Sequence, residues 1–246
     1  LLEKKIPLLV KNHKIDFIIA NGENAANDAN GITINIAKKL FNIGIDVLTS
    51  GNHIWDKKEI LRYIKAEKRL LRPLNMSDNL PGVGMNMFKK KGKKICVINL
   101  MTNYFMLKSK NVFTVAESII KKIKLKKDCD YIIVDVHGEF AGEKMALSHL
   151  FDGKSTLVFG SHTHVPTSDS MILPKGTAYQ TDVGMTGDYD SVIGMDKQNP
   201  LHSFTKGYRS EGRFTPASGE ILICGAYLET DDRTGISRKI EPFQIY

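Results

Sequence analysis

The sequence predicts a layered α/β fold, and three observations support this prediction. Short apolar runs typical of buried strands alternate with amphipathic helical patterns through most of the chain. Four of the strand-like runs end directly in polar residues that suit a metal site. The chain has 246 residues, of which 42% are hydrophobic, and this is enough for one well-buried core. We therefore predict a single domain over residues 1–246.

The first third of the chain begins inside a helical pattern at Leu1. The pattern then predicts a strand at Asp16–Asn21, a helix at Ile34–Asn42, a strand at Val47–Ser50 and a helix from Asp56 to about Glu67. Thr33 directly precedes the helix at Ile34–Asn42, and a threonine at that position can cap a helix.

The middle of the chain continues the alternation. It predicts a strand at Lys94–Leu100, a helix at Val112–Lys124, a strand at Tyr131–Val136, a helix at Glu143–Leu150 and a strand at Thr156–Phe159. After about Pro166 the pattern changes to shorter strands and Gly-rich turns, and Ile221–Leu228 and Ile236–Ile240 are the last sheet elements.

The formal net charge of +8 raises the question of an RNA partner. Much of the excess lies in two lysine clusters. Lys89–Lys94 is typical of a hairpin tip, and Lys121–Lys127 is typical of the C-terminal end of a helix, where cations are favourable. A solvated face explains the charge better than RNA binding does.

The three cysteines, Cys96, Cys129 and Cys224, are scattered and form no CxxC pair, which favours a reducing cytoplasm over a disulfide framework. No apolar run approaches the roughly 20 residues that span a bilayer, so we expect no membrane partner. The segment Leu1–Val10 is too short and too charged for a signal peptide.

Polar side chains follow four of the predicted strands and indicate a metal site. The four runs are Asn21-Gly22-Glu23-Asn24, Gly51-Asn52-His53, Val136-His137 and Gly160-Ser161-His162-Thr163-His164. Strand ends that bring His, Asn and Glu to one rim are how an α/β protein builds a dinuclear metal site. We expect the other three histidines, His13, His149 and His202, to be structural or exposed.

The residue types limit the chemistry of this site. Imidazoles, one carboxylate and amide oxygens exclude a thiolate zinc site and favour iron, manganese or zinc over calcium. Glu23 is placed to bridge two cations, which would clamp a phosphoryl group and activate a water. His53 need not bind metal, and it could protonate the departing oxygen as a general acid.

Five motifs occur in order over nearly the whole chain, and they are NGENAA from Asn21, GNHIWDKKE from Gly51, RPLN from Arg72, GSHTHVPT from Gly160 and LPKGTAYQTDVGMTG from Leu173. Together they resemble the bacterial YmdB-like branch of the calcineurin-like metallophosphoesterases. The resemblance implies a four-layer α/β/β/α sandwich, two metal ions and hydrolysis of cyclic nucleotide phosphodiesters, 2′,3′- or 3′,5′-cyclic. It favours iron or manganese, with zinc or magnesium as alternatives.

The resemblance also assigns roles to residues. Glu23 matches the bridging carboxylate, Asn24 and His164 match ligands of the first metal, Asn52, His137 and His162 match ligands of the second, and His53 matches the proton donor. Family members begin with a strand and a Gly-Asp loop whose Asp binds the first metal, and the sequence shows neither. We therefore expect the first strand to be missing by truncation and the first metal to lack its Asp.

Two alternatives remain at this point. An enzyme with the same chemistry could hydrolyse another phosphoester, such as a monoester or an RNA-derived end, because fold and metals do not fix the substrate. A regulatory or scaffold protein with a degraded metal site is the non-enzymatic alternative. We expect a small-molecule phosphodiester as the partner of the site, and association into a homo-oligomer through an exposed sheet edge.

Overall fold

The computed structural model describes residues 1–28, 30–208, 212 and 214–246. The helices in these residues are α1 (Leu2–His13), α2 (Ile34–Asn42), α3 (Ile60–Ala66), α4 (Val112–Lys122), α5 (Ala141–Phe151) and α6 (Gln198–Lys206). The strands are β1 (Ile19–Asn21), β2 (Val47–Thr49), β3 (Met85–Lys90), β4 (Lys93–Met101), β5 (Tyr131–His137), β6 (Leu157–Ser161), β7 (Met171–Ile172), β8 (Ala178–Gln180), β9 (Thr186–Asp188), β10 (Ile221–Thr230) and β11 (Ser237–Ile245).

The largest sheet has six strands in the order β3-β4-β5-β6-β8-β7. Strands β4, β5, β6 and β8 run parallel, and β3 and β7 pair antiparallel at the two ends. Met101 is level with His137, and His137 is level with Ser161. The loops that follow β4, β5 and β6 therefore lie at the same edge of the sheet.

One face of this sheet packs against α4 and α5. Every second residue of β4, from Cys96 through Ile98 to Leu100, is buried on that face. Ala116 of α4 and Leu147 of α5 belong to the same apolar cluster. The period of two in the strand and the apolar helix faces together form the first core layer.

The opposite face of the sheet packs against a second sheet, formed by β1 and β2 in parallel. Val97 of β4 and Val47 of β2 share one buried cluster between the two sheets. The next residue of β2, Leu48, points the other way and packs with Phe41 of α2 and Ile64 of α3. Helix, sheet, sheet and helix therefore follow one another, which confirms the predicted four-layer α/β/β/α sandwich.

The local signals identify most elements with small shifts at their ends. The hydroxyl of Thr33 accepts a hydrogen bond from the Ile36 amide at 3.3 Å and caps α2 as predicted. Lys91 and Gly92 have φ of 48° and 78°, which is the left-handed turn of the predicted hairpin between β3 and β4. The prediction that the next helix starts at Asp56 was wrong by four residues, because the Asp56 carboxylate bonds a histidine ring instead.

The C-terminal part of the described chain adds a third sheet, in the order β11-β10-β9. The His13 ring of α1 stacks on Tyr227 of β10, with ring centroids 4.0 Å apart. Among the described strands β1 pairs with β2 alone, and the expectation that a strand ahead of β1 is missing stays a prediction. No helix in the described ranges has the length and apolar character needed to cross a membrane.

Candidate metal centre

Side chains from four strand ends meet around the imidazole of His137, the last residue of β5. Its Nε2 atom lies 2.6 Å from Glu23 Oε2, 3.1 Å from His162 Nδ1 and 3.3 Å from Asn52 Oδ1. Donor atoms of Glu23, His137 and His162 lie within 4.8 Å of one another. We call Glu23, Asn52, His137 and His162 the central cluster, and all four are predicted ligands.

A buried hydrogen-bond relay fixes the tautomer of His137. The Ser161 hydroxyl donates its one proton to Asp135 Oδ1 at 2.7 Å, and its oxygen accepts from the Asn21 amide at 3.2 Å. The remaining lone pair of Ser161 faces His137 Nδ1 at 3.0 Å, so Nδ1 carries the ring proton and donates it. The Nε2 lone pair of His137 therefore points into the central cluster.

The central cluster fits a cation. The lone pair of His137 Nε2, the carboxylate of Glu23 and His162 Nδ1 converge, while the other ring nitrogen of His162 lies 3.3 Å from Glu139. Electron-rich atoms at this spacing repel unless a positive charge lies between them, and ligands about 2.0–2.2 Å from one ion lie about 3 Å apart. A Cβ on Gly51 would overlap both His137 and Glu23, so glycine leaves the space beside the donors open.

The pKa values of the cluster favour the metal-binding forms. Burial would raise the pKa of Glu23, but the protonated form of His137 and the His53 amide stabilise the carboxylate and hold that pKa below its ordinary value. Burial, with a smaller contribution from His137, lowers the pKa of His162 to about 4. Glu23 is therefore ionised and His162 neutral near pH 7, which are the forms that coordinate a metal.

The other two predicted ligands form a second group beside the central cluster. Asn24 Nδ2 lies 3.4 Å from His164 Nε2, and His164 Nδ1 lies 2.7 Å from the Ile193 carbonyl, to which it donates. The Oδ1 atom of Asn24 is buried and has no hydrogen-bond partner among the described residues. An orphaned buried oxygen is costly, and a second cation would satisfy it.

The loop that carries His162 and His164 has a strained backbone, and hydrogen bonds to a buried carboxylate hold it in place. His162 and His164 have φ of 102° and 67°, which non-glycine residues rarely adopt. Asp182 accepts from the Thr163 amide at 3.0 Å and from its hydroxyl at 2.9 Å. The Lys144 ammonium pairs with Asp182 at 3.1 Å, and both side chains are at most 1% exposed. This buried ion pair fixes the loop.

His53, the predicted proton donor, lies at the edge of the central cluster. Its amide donates to Glu23 Oε1 at 2.8 Å, so the backbone is tied to the cluster. Its Nδ1 atom donates to Asp56 Oδ2 at 2.8 Å, and both side chains are partly exposed. The ring is thus oriented by a carboxylate while Nε2 is left to act on a substrate, in keeping with a role other than coordination.

Sequence reasoning missed Asp135, Ser161 and Asn21, which fix His137. It also missed Lys144, which pairs with Asp182 under the histidine loop. One signal was available for Asp135, a charged residue in the middle of a buried strand and two positions from His137. The histidines expected to be structural or exposed lie elsewhere, His13 on α1, His149 on α5 and His202 on α6.

The four-layer fold, with these side chains at the ends of its strands, defines a protein of the metallophosphoesterase type. The chain belongs to the YmdB-like protein family, whose model matches residues 1–243. Two curated relatives support the same class. The chain is 41% identical to a 2′,3′-cyclic-nucleotide 2′-phosphodiesterase of Bacillus subtilis over 100% of this chain and 91% of that protein. It is 35% identical to a putative phosphatase/phosphodiesterase of Mycoplasma genitalium, over 100% and 87%.

Solved structures agree with the fold. A hypothetical protein from Thermus thermophilus superposes with a TM-score of 0.90 and 36% identity, over 99% of this chain and 92% of that one. A phosphatase from Mycoplasma pneumoniae gives a TM-score of 0.91 and 35% identity, over 99% and 87%. A putative 5′-nucleotidase from Staphylococcus aureus shares the fold at 15% identity, with a TM-score of 0.58 over 98% and 48%. The chain is a hydrolytic phosphoesterase.

Proposed function

We propose that this protein is a metal-dependent phosphodiesterase that hydrolyses cyclic nucleotides, with 2′,3′-cyclic nucleotides as the first choice. The observation that carries the proposal is the convergence of Glu23 and His162 on the free lone pair of His137. The B. subtilis relative, at 41% identity, is named for 2′,3′-cyclic nucleotides, which supports this substrate class over 3′,5′-cyclic ones.

The donor set supports two metal ions. Asn52, His137 and His162 would hold one ion, Asn24 and His164 the other, and Glu23 would bridge them. When bound, such a pair of ions polarises a phosphoryl group and supplies a strong nucleophile at neutral pH. The mixed nitrogen and oxygen donors favour iron or manganese, with zinc and magnesium as alternatives.

The protein's own contribution to bond cleavage is proton transfer. His53 donates through Nδ1 to Asp56, which stabilises a positive charge on the ring. The Nε2 proton is then available to the oxygen that leaves the phosphorus, and this oxygen is a poor leaving group when it is a ribose hydroxyl. Glu23 holds the His53 backbone at 2.8 Å, so the donor keeps its place relative to the cluster.

The test is a comparison of substrates and metals. The protein is stripped with a chelator, reloaded with Mn²⁺, Fe²⁺, Zn²⁺ or Mg²⁺, and assayed on adenosine 2′,3′-cyclic phosphate, adenosine 3′,5′-cyclic phosphate and p-nitrophenyl phosphate. We expect metal-dependent hydrolysis with the highest kcat/KM on the 2′,3′-cyclic substrate. A preference for the monoester would point to the other phosphoesterase function, and equal rates with and without metal would contradict the proposal.

We also infer that the enzyme works in the cytoplasm. Its three cysteines are free thiols in the structure, and two of them, Cys96 and Cys129, are buried, as in proteins of reducing compartments. The expected homo-oligomer stays a prediction, which light scattering on the purified protein would measure.

A further inference from the structure

Three aromatic side chains form an exposed cluster beside the central cluster. Tyr104 and Phe105 follow β4, Phe140 follows β5, and their exposed fractions are 63%, 81% and 47%. Their ring centroids lie 5.7 to 6.5 Å apart, and both contacts to Phe140 are edge-on. We call these three residues the aromatic rim. These three rings are exposed to solvent, so the fold gives up the hydrophobic free energy that burying them would contribute.

The aromatic rim is fixed to the fold rather than loose. The buried carboxylate of Glu143 accepts from the Asn103 amide at 3.1 Å and from the Tyr104 amide at 2.8 Å. The Asn103 side chain donates to the Lys110 carbonyl at 3.1 Å and closes the loop. Phe105 has φ of 62°, an unfavourable conformation for a bulky residue. The anchored loop holds Phe105 in this conformation, and backbone strain of this kind concentrates at functional sites.

The aromatic rim adjoins the metal ligands. The Thr102 amide donates to the His137 carbonyl at 3.0 Å, which holds the two loops together. Phe140 comes three residues after His137, so their Cα atoms are at most about 11 Å apart. Glu139, between them, reaches His162 at 3.3 Å. The rim therefore lies within the length of one nucleotide from the central cluster.

We propose that the aromatic rim stacks the base of the nucleotide whose phosphodiester binds at the central cluster. The proposal rests on the proposed function. Every base has a π face, so stacking on Phe105 and Phe140 gives affinity with little discrimination among bases. Neither phenylalanine carries a hydrogen-bonding group that could read a base edge. We expect all four 2′,3′-cyclic nucleotides to be hydrolysed, with the larger purines favoured over the pyrimidines.

The test compares a substrate that has a base with one that lacks it. Adenosine 2′,3′-cyclic phosphate and methyl riboside 2,3-cyclic phosphate are assayed with wild type and the double variant Phe105→Ala, Phe140→Ala. The ratio of the two kcat/KM values cancels any loss of folded enzyme. We expect the ratio to fall roughly 5- to 100-fold in the variant, as for loss of a base-stacking aromatic, with methyl riboside kcat/KM within about twofold of wild type.

Two controls sharpen this comparison. Phe204→Ala removes an equally exposed ring, 81% accessible, from α6 and should leave the ratio unchanged. The double variant Phe105→Trp, Phe140→Trp keeps aromatic faces and should restore most of the ratio. Restoration by tryptophan supports stacking over a loop defect.

The outcomes separate this inference from the proposed function. An unchanged ratio in the alanine variant overturns the aromatic rim as a base subsite, and an altered mass in light scattering with an unchanged ratio assigns it to self-association. If wild type hydrolyses neither substrate, the proposed function fails, and calorimetry with adenosine 3′-monophosphate decides the inference. Weaker binding to the alanine variant then supports stacking, and an equal dissociation constant overturns it.

Discussion

The Oε2 atom of Glu23 and the Nε2 atom of His137 lie 2.6 Å apart, and in the neutral form of His137 both are hydrogen-bond acceptors. The proton of His137 is on its other ring nitrogen, because Ser161 accepts it there. Two acceptors at this distance require a positive charge between them, which a proton supplies in the metal-free protein and a metal ion supplies when it is bound. A metal ion can accept electron density from both atoms at once. The hydrogen bonds from His137 through Ser161 to Asp135, together with the Glu23 carboxylate, therefore favour metal coordination.

The relay predicts that Ser161 controls metal affinity. In Ser161→Ala, His137 loses the acceptor that fixes its tautomer and ring orientation, and loss of such an outer partner typically costs 10- to 100-fold in affinity. Calorimetry with Mn²⁺ should therefore show a dissociation constant raised roughly 10- to 100-fold. The exposed Ser168 provides the control Ser168→Ala, which should bind as wild type does. Equal affinities for all three proteins would refute the relay.

His53 should serve catalysis more than metal binding. With His53→Ala we expect turnover of a cyclic nucleotide to fall by about 10²- to 10⁴-fold, the usual contribution of a general acid, while metal content stays near wild type. A p-nitrophenyl ester should lose much less, since its leaving group needs little protonation. Equal losses on good and poor leaving groups would point instead to a ligand or positioning role.

Much of the fold could be predicted from the sequence because its signals are local. Apolar alternation identifies β4, and a capping threonine starts α2 at its observed residue. The ligands could be predicted because histidines directly after buried strands have few structural explanations. The start of helix α3 was predicted less accurately. An aspartate at position 56 can cap a helix, but in the structure Asp56 accepts a hydrogen bond from His53 instead.

The supporting residues could not be predicted because their partners are distant in sequence. Asn21 reaches Asp135 across 114 positions, and Lys144 reaches Asp182 across 38. A lysine in a helix normally faces solvent, and nothing local to Lys144 shows that it is buried. Pairings of this kind depend on the register of strands and the packing of layers, which only the folded structure supplies.

The ion pair between Lys144 and Asp182 should dominate the stability of the histidine loop. Lys144→Met leaves the Asp182 carboxylate buried without its cation, which typically costs about 3–5 kcal/mol. Urea denaturation should show a loss of this size. The exposed pair of Lys197 and Asp190 gives the control Lys197→Met, for which we expect a much smaller loss because solvent screens the pair. Similar losses in both variants would show that the buried pair has no special role.

The low pKa of His162 predicts a pH-dependent stability of the metal-free protein. An ordinary histidine titrates near 6.5, whereas the pKa of His162 is lowered to about 4 by burial and by His137. Between these values the unfolded chain binds a proton that the folded chain does not, so stability falls as the pH drops from 6.5 to about 4.

Urea midpoints at pH 7, 5.5 and 4.5 would measure this effect. We expect His162 to account for a loss on the order of 1–3 kcal/mol, and His162→Asn to flatten the pH dependence by that amount. The exposed His149 supplies the comparison His149→Ala, which should keep the wild-type slope. A slope that is the same in all three proteins would exclude His162 as its source.

The central claim is that Glu23, Asn52, His137 and His162 bind a metal ion, and elemental analysis after gentle purification tests it most directly. Wild type and the double variant His149→Ala, His202→Ala should both carry iron, manganese or zinc. The double variant His137→Ala, His162→Ala should have lost the ion that these side chains hold. Equal metal content in all three proteins, whether substantial or negligible, would contradict the account.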